Sequence, residues 1–247
     1  MSDNLQPRGS DDATFVQPLY TPIKRRSFFM YAGATAGATA LVLAGCSKNE
    51  EVAPVPPVTP ANNTISLGAG DVGVLNYAYA LEQLEAAFYA AVVKTPAADF
   101  KPGELAYFQQ VAAHEAIHRD FLKAALINVA KVTPIPGLTP DFSTITFTSR
   151  ASVLGAAKAF EDLGVAAYNG AGKLLKTPAY LVLAGKIVSV EARHAAYVRD
   201  LIMPGSFAAD DQVDPVSGLD KAMAPADVLT AASKFIKEKL NADSVGK

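Results

Sequence analysis

An all-α fold, a bundle of four long helices, is the architecture this sequence predicts, and three observations predict it. Half of the 247 residues are hydrophobic and only 19% are charged, enough apolar material for one buried core and too much for a disordered chain. From Asp71 to about residue 202 the texture is Ala, Leu, Val and Tyr in four long stretches with few breakers. The interruptions are short, long and short in turn: Thr95-Pro96, the three-proline segment 132–149, and Thr177-Pro178. Two helical hairpins joined by a crossover follow from that order, with a short amphipathic helix after them.

The elements run as follows. Residues 1–46 read as an export signal. Lys24-Arg25-Arg26 precedes Phe28-Phe29 and a dilute apolar run that ends at Leu43-Ala44-Gly45-Cys46. The twin arginines resemble a twin-arginine export signal, and the run's end resembles a lipobox whose cleavage leaves Cys46 as a lipidated N-terminus. A short membrane span is the competing reading, and 18 residues rich in Gly, Ala and Thr are marginal for one. Residues 47–70, with VAPVPPVTP, read as a Pro-rich tether; an ordered strand along the domain is the alternative.

Asp71 is a candidate N-cap for a first helix ending at Thr95-Pro96, and a second starts near Pro102 and continues to about Lys131. The third covers roughly Arg150 to Leu175, and the fourth follows Pro178 and ends before Pro204. The bundle therefore spans 71–202. In the tail, 203–247, a polar turn-rich loop precedes PADVLTAASKFIKEKL (225–240), whose Val228, Leu229, Ala232, Phe235, Ile236 and Leu240 share one helical side. That helix is expected to pack on the bundle or against a second copy in a homodimer.

Composition narrows the function classes. Lys+Arg number 22 against Asp+Glu 24, a net charge of −2, so there is no basic footprint for nucleic acid. The single cysteine excludes an intramolecular disulfide and any cysteine-based zinc or iron–sulfur site.

An internal repeat carries the chemistry. LEQLEAAFY (81–89) aligns with FEDLGVAAY (160–168), placing Glu82 on Glu161 and Tyr89 on Tyr168. VAAHEAIHRDFL (111–122) aligns with IVSVEARHAAYV (187–198), placing Glu115 on Glu191 and His118 on His194. Residues three apart share a helix face, so Glu115 with His118, and Glu191 with His194, can each grip one metal ion. Each Tyr, seven residues beyond its Glu, is expected on the same stripe. Helical neighbours such as Leu75, Ala78, Val111, Ala157, Ile187 and Val198 are apolar, which turns the four glutamates inward. Two divalent cations would balance four buried carboxylates that are prohibitively costly alone. Glu85 lies on a face close to that of Glu82, but its counterpart is Gly164, so the repeat selects Glu82 as ligand and leaves Glu85 behind the ligands or at the rim. His114 lies about 100° around the helix from Glu115 and reads as a surface or hydrogen-bonded histidine. Glycines 155, 164, 170, 172 and 185 read as allowing close helix packing.

With these residues the chain resembles the ferritin-like superfamily of di-iron carboxylate bundles, in particular its bacterial ferritin-like-domain branch related to desiccation-associated proteins. The resemblance covers about 71–202 and implies a ferritin-like four-helix bundle with a long crossover between helices 2 and 3. It also implies Glu82, Glu115, His118, Glu161, Glu191 and His194 as metal ligands, and Tyr89 and Tyr168 as tyrosines that hydrogen-bond ligand carboxylates. Where bacterioferritins carry a haem-ligating Met this chain has Ala116, and it has no CxxC for rubrerythrin-like electron delivery.

The resemblance leaves three functions open. One is a di-iron oxidoreductase that oxidises Fe²⁺ or a small reductant with O2 or peroxide. The others are a non-catalytic metal-binding or stress-related lipoprotein and a dimanganese catalase-like enzyme. Oxygen donors with imidazole suit iron and manganese alike. Four glutamates and two histidines offer fewer donors than two octahedral ions require, so open positions are expected. The leader implies a membrane-anchored lipoprotein facing the periplasm or cell exterior.

Overall fold

The computed structural model describes residues 64–247; the export signal with Cys46, and the tether as far as residue 63, lie outside the described residues. Four long helices follow a three-residue strand: β1 (Thr64–Ser66), α1 (Gly70–Lys94), α2 (Glu104–Ala124), α3 (Arg150–Gly172) and α4 (Pro178–Ile202). After them come α5 (Pro225–Ala232), a 3₁₀ turn (Ser233–Phe235) and β2 (Lys239–Asn241).

Local chemistry sets the helix boundaries. Ser149 caps α3 by accepting from the Ser152 amide, and Pro178 occupies the first turn of α4, where a missing N–H costs nothing. Gly103, at φ 91°, makes the left-handed turn into α2. A π-helical turn over Ala125–Val129 continues α2, and Lys131, at φ 57°, then breaks it. Asp71 is not the cap of α1. The helix starts one residue earlier, at Gly70, and the Asp71 carboxylate accepts from the amides of Lys176 and Thr177, tying α1 to the α3–α4 turn.

α1 packs on α2, and α3 on α4, as antiparallel pairs. The first halves of α1 and α4 meet the last halves of α2 and α3 at one end, called here the lower end. The crossover 130–149 climbs α1 from that end. Buried Asn76 accepts from the Ile135 amide, Gln83 accepts from the Leu138 amide, and Phe142 and Phe147 then lie against Phe88 near the top. At the upper end Phe88, Phe108 and Phe160 are all fully buried, each worth roughly 1.5–3 kcal/mol of apolar burial.

The tail departs from its sequence pattern. Val228, Leu229, Ala232, Phe235 and Ile236 are buried as their spacing predicts, but the helix ends at Ala232 instead of running to residue 240. Beyond Ile236 the chain pairs with its own N-terminal segment, Thr64–Ser66 lying parallel to Lys239–Asn241. The last residues assigned to the tether are thus a strand, and long-range pairing overrides local helix propensity. α5 packs on α3, and Gly170 permits the approach of the chain before it: a Cβ there would lie 1.7 Å from the Met223 carbonyl oxygen. Gly155 and Gly185 face open space, so close packing is not their role. Among the described residues no helix is long and apolar enough to cross a membrane.

Candidate metal centre

The middle of the bundle holds the residues that the repeat singles out. α1 supplies Glu82, α2 supplies Glu115 and His118, α3 supplies Glu161, and α4 supplies Glu191 and His194. All four glutamates are 0% exposed, and the apolar neighbours one and two turns away, from Leu75 to Val198, are buried with them. Ligand atoms gather in two sets, each within 4.8 Å: Glu82, Glu115, His118 and Glu191 in one, Glu115, Glu161, Glu191 and His194 in the other. Glu115 and Glu191 belong to both. The glutamates of the two Glu-x-x-His motifs therefore stand between the two positions, and the lone glutamates serve one each.

Apart from His118 Nδ1, 3.3 Å from Glu115 Oε2, these atoms approach one another without satisfying one another. His194 Nδ1 lies 2.9 Å from Glu115 Oε1, yet neither atom has a hydrogen-bond partner. Glu82 Oε2, Glu161 Oε2 and both oxygens of Glu191 are buried and unpartnered as well. A buried polar atom without a partner is costly, and side chains that formed their own network would turn toward each other. Here they converge on shared points between them. The donor set fits two hard divalent cations: carboxylate oxygens with one imidazole at each position.

The electrostatics agree. Burial pushes Glu82 up to about 7 and raises Glu161, while Glu191 and Glu85 are held well above the usual carboxylate range. Burial also works against ionisation of Glu115, but the His118 and His194 imidazoles set close against it outweigh that and hold the carboxyl at about 2. Burial disfavours the imidazolium form too, yet the surrounding carboxylates lift His118 to about 12 and His194 to about 10. With protons as its only cations, the site keeps charged imidazoles among partly protonated carboxyls. Metal binding would displace those protons, so affinity should fall with pH.

The tyrosines cross between the halves. Tyr89 on α1 donates to Glu161 Oε1 on α3, and Tyr168 on α3 donates to Glu82 Oε1 on α1. Each Tyr keeps its place seven residues along the same helix as its Glu, and the antiparallel run of α1 and α3 brings the end of one stripe to the start of the other, so the hydrogen bonds cross between the halves. Glu85 is 4% exposed and outside both ligand sets, buried behind the ligands and not at the rim. Gly164, its counterpart in the repeat, leaves room for it: a Cβ there would lie 2.9 Å from Glu85 Oε1.

Two further residues support the centre. His114 Nδ1 lies 2.9 Å from His194 Nε2, the ring nitrogen turned away from the carboxylates, with the two rings nearly parallel. Tyr107 donates to the His194 carbonyl. The repeat hides the first of these, because the residue aligned with His114 is Val190. The sole signal was a third histidine beside a motif in a chain that has only three.

A family model described as a ferritin-like domain matches residues 70–204, more than half of the chain and all four long helices. No curated protein matches it.

Proposed function

The chain belongs to the ferritin-like domain family, and from that premise we propose that it is a di-iron carboxylate protein that oxidises Fe²⁺, or another small reductant, with O2 or peroxide. The observation that carries this reading is the pair of ligand sets sharing Glu115 and Glu191. Glu82 with His118 would hold one ion, Glu161 with His194 the other, and the shared carboxylates would hold both. A bound pair would supply a one-electron redox change at each ion. The balance is simple: two Fe²⁺ release two electrons, which with two protons convert one O2 to H2O2, or one H2O2 to two waters.

The chain's own residues prepare the site for this. Full burial of the carboxylates keeps bulk water out and strengthens their interaction with cations. Tyr168 and Tyr89 steady Glu82 and Glu161 by hydrogen bonds from the opposite half. Carboxylates suit a change of ion charge because they shift between one-ion and two-ion binding at little cost. The leader supports a further part of the proposal: export, lipidation at Cys46, and a domain tethered to a membrane surface. Release of the Cys46→Ala variant from the membrane fraction, with unchanged helicity, is the expected outcome.

The test is anaerobic reconstitution with Fe²⁺, metal analysis, and then O2 or H2O2. Oxidation faster than the buffer control is expected, and Glu161→Ala and His194→Ala should each abolish the excess. A fully loaded protein that accelerates neither oxidant would leave a metal-binding lipoprotein in place of an enzyme.

A further inference from the structure

A cavity of about 30 Å³ lies at the lower end of the bundle, against the floor of the candidate metal centre. Ala78, one turn before Glu82, lines it, as do Ile187, one turn before Glu191, and Tyr168, whose hydroxyl donates to Glu82. Phe121, 40% exposed, also borders it, so the space reaches the surface of the bundle.

The repeat shows how the cavity arises. In the alignment that matches Glu82 with Glu161 and Glu115 with Glu191, Ala167 falls on Phe88, Ala184 on Phe108 and Leu81 on Phe160. At the upper end those three phenylalanines are buried and packed: Phe88 lies 4.9 Å from Phe160 and 4.9 Å from Tyr89, centroid to centroid, and Phe108 lies 6.1 Å from Tyr89. The same scaffold is filled with rings beside Tyr89 and left open beside Tyr168.

The chemistry of the walls selects the occupant. Nearly all of the accessible wall is carbon. The Tyr168 hydroxyl is committed to Glu82, and the Tyr77 hydroxyl, on another lining residue, is buried with no partner. A buried water typically makes about three hydrogen bonds, which walls with one free hydroxyl do not supply, whereas an apolar gas such as xenon needs none. Hydrogen peroxide has the same need for partners as water. A diatomic apolar gas has none, and the cavity has room for it.

We propose that this cavity is a binding site for dioxygen, the last station on its way to the metal centre, and that O2 rather than peroxide is the oxidant it serves. The choice of oxidant rests on the oxidative reading above; the gas site itself does not.

Two measurements test it. Crystals pressurised with xenon should show one xenon atom between Ala78, Ala167 and Ala184, whether or not metal is bound. Ala184→Phe restores the ring found at the upper end, at a position that is only partly buried. It should remove the xenon and raise KM for O2 about tenfold, while Fe²⁺ stoichiometry, helicity and the rate with H2O2 stay unchanged. Ala171→Val, which copies Val92, is the milder second variant and should shift KM in the same direction. A xenon-free cavity in the parent protein would overturn the proposal, as would an unchanged KM for O2 in both variants. If the parent binds xenon but oxidises no iron with either oxidant, the oxidative reading fails and the gas site stands.

Discussion

The two halves of the candidate metal centre contribute the same three side chains, two glutamates and a histidine, in the same pattern, yet they are not equally supported. In the first half His118 stands at 12% side-chain exposure among three carboxylates, 2.8 Å from Glu191, 3.3 Å from Glu115 and 3.6 Å from Glu82. In the second, His194 is at 6%, and its outer nitrogen is held by His114. Behind the second half Arg199 pairs with Asp162 and Asp211, whereas its counterpart in the repeat, Lys123, is exposed. Glu85 crowds the centre from the first half only. The two candidate ligand sets match, while their surroundings differ, and the second set is the more firmly held by its neighbours.

The largest expected effect separates shared from unshared ligands. Glu115→Ala or Glu191→Ala should empty both positions, while Glu82→Ala or Glu161→Ala should leave about one ion per chain, because each removes a donor from a single set. Metal analysis after gel filtration reads the difference. Equal losses in all four variants would break the account of two overlapping sets.

A second comparison sets Glu82 against Glu85. Glu82→Ala should lower occupancy far more than Glu85→Ala, since Glu85 lies outside both sets. Loss of metal on Glu85→Ala alone would mean that the repeat has been aligned wrongly.

The positions can then be weakened one at a time. Tyr168→Phe frees Glu82 and should weaken the first position about 10–100-fold, and Tyr89→Phe should do the same to the second through Glu161. His114→Ala should weaken only the second position, by about tenfold, with His114→Gln restoring part of the loss. Stepwise titration with a competing chelator resolves the two affinities. An equal shift of both positions in the His114 variant would remove the asymmetry proposed here.

The smallest effect lies outside the ligands. The Arg199 guanidinium beside Asp211 holds that carboxyl down at about 2 against an ordinary 3.8. A depressed folded value means a contribution that is full above about pH 4 and lost as the pH falls toward about 2. Asp211 is 58% exposed, so Asp211→Asn should cost at most about 1 kcal/mol at neutral pH, a cost that fades over that acid window. Thermal melts at stepped pH would record it.

Much of this centre could be read without coordinates, for a physical reason. Glu115 with His118, and Glu191 with His194, are positioned by helical periodicity, a local property written in spacing. The repeat then identifies Glu82 and Glu161 by pairing each with a tyrosine. What the spacing could not carry is anything that depends on how one helix slides against another. The crossing of Tyr89 to Glu161 and Tyr168 to Glu82 depends on the antiparallel register of α1 and α3, and His114 meets His194 across the α2–α4 interface. The end of α5 differs from its sequence pattern for the same kind of reason: the apolar positions through Ile236 are buried as their spacing predicts, but the pairing of 239–241 with 64–66 joins segments far apart in sequence.

The central claim is that one pair of ions sits between Glu115 and Glu191, each with its own Glu and His. Anomalous diffraction at the iron edge from iron-loaded crystals tests it most directly. The account predicts two peaks about 3.5–4 Å apart, as in other two-metal sites, one beside Glu82 and His118 and the other beside Glu161 and His194. A single peak, or iron bound away from these six side chains, would contradict it.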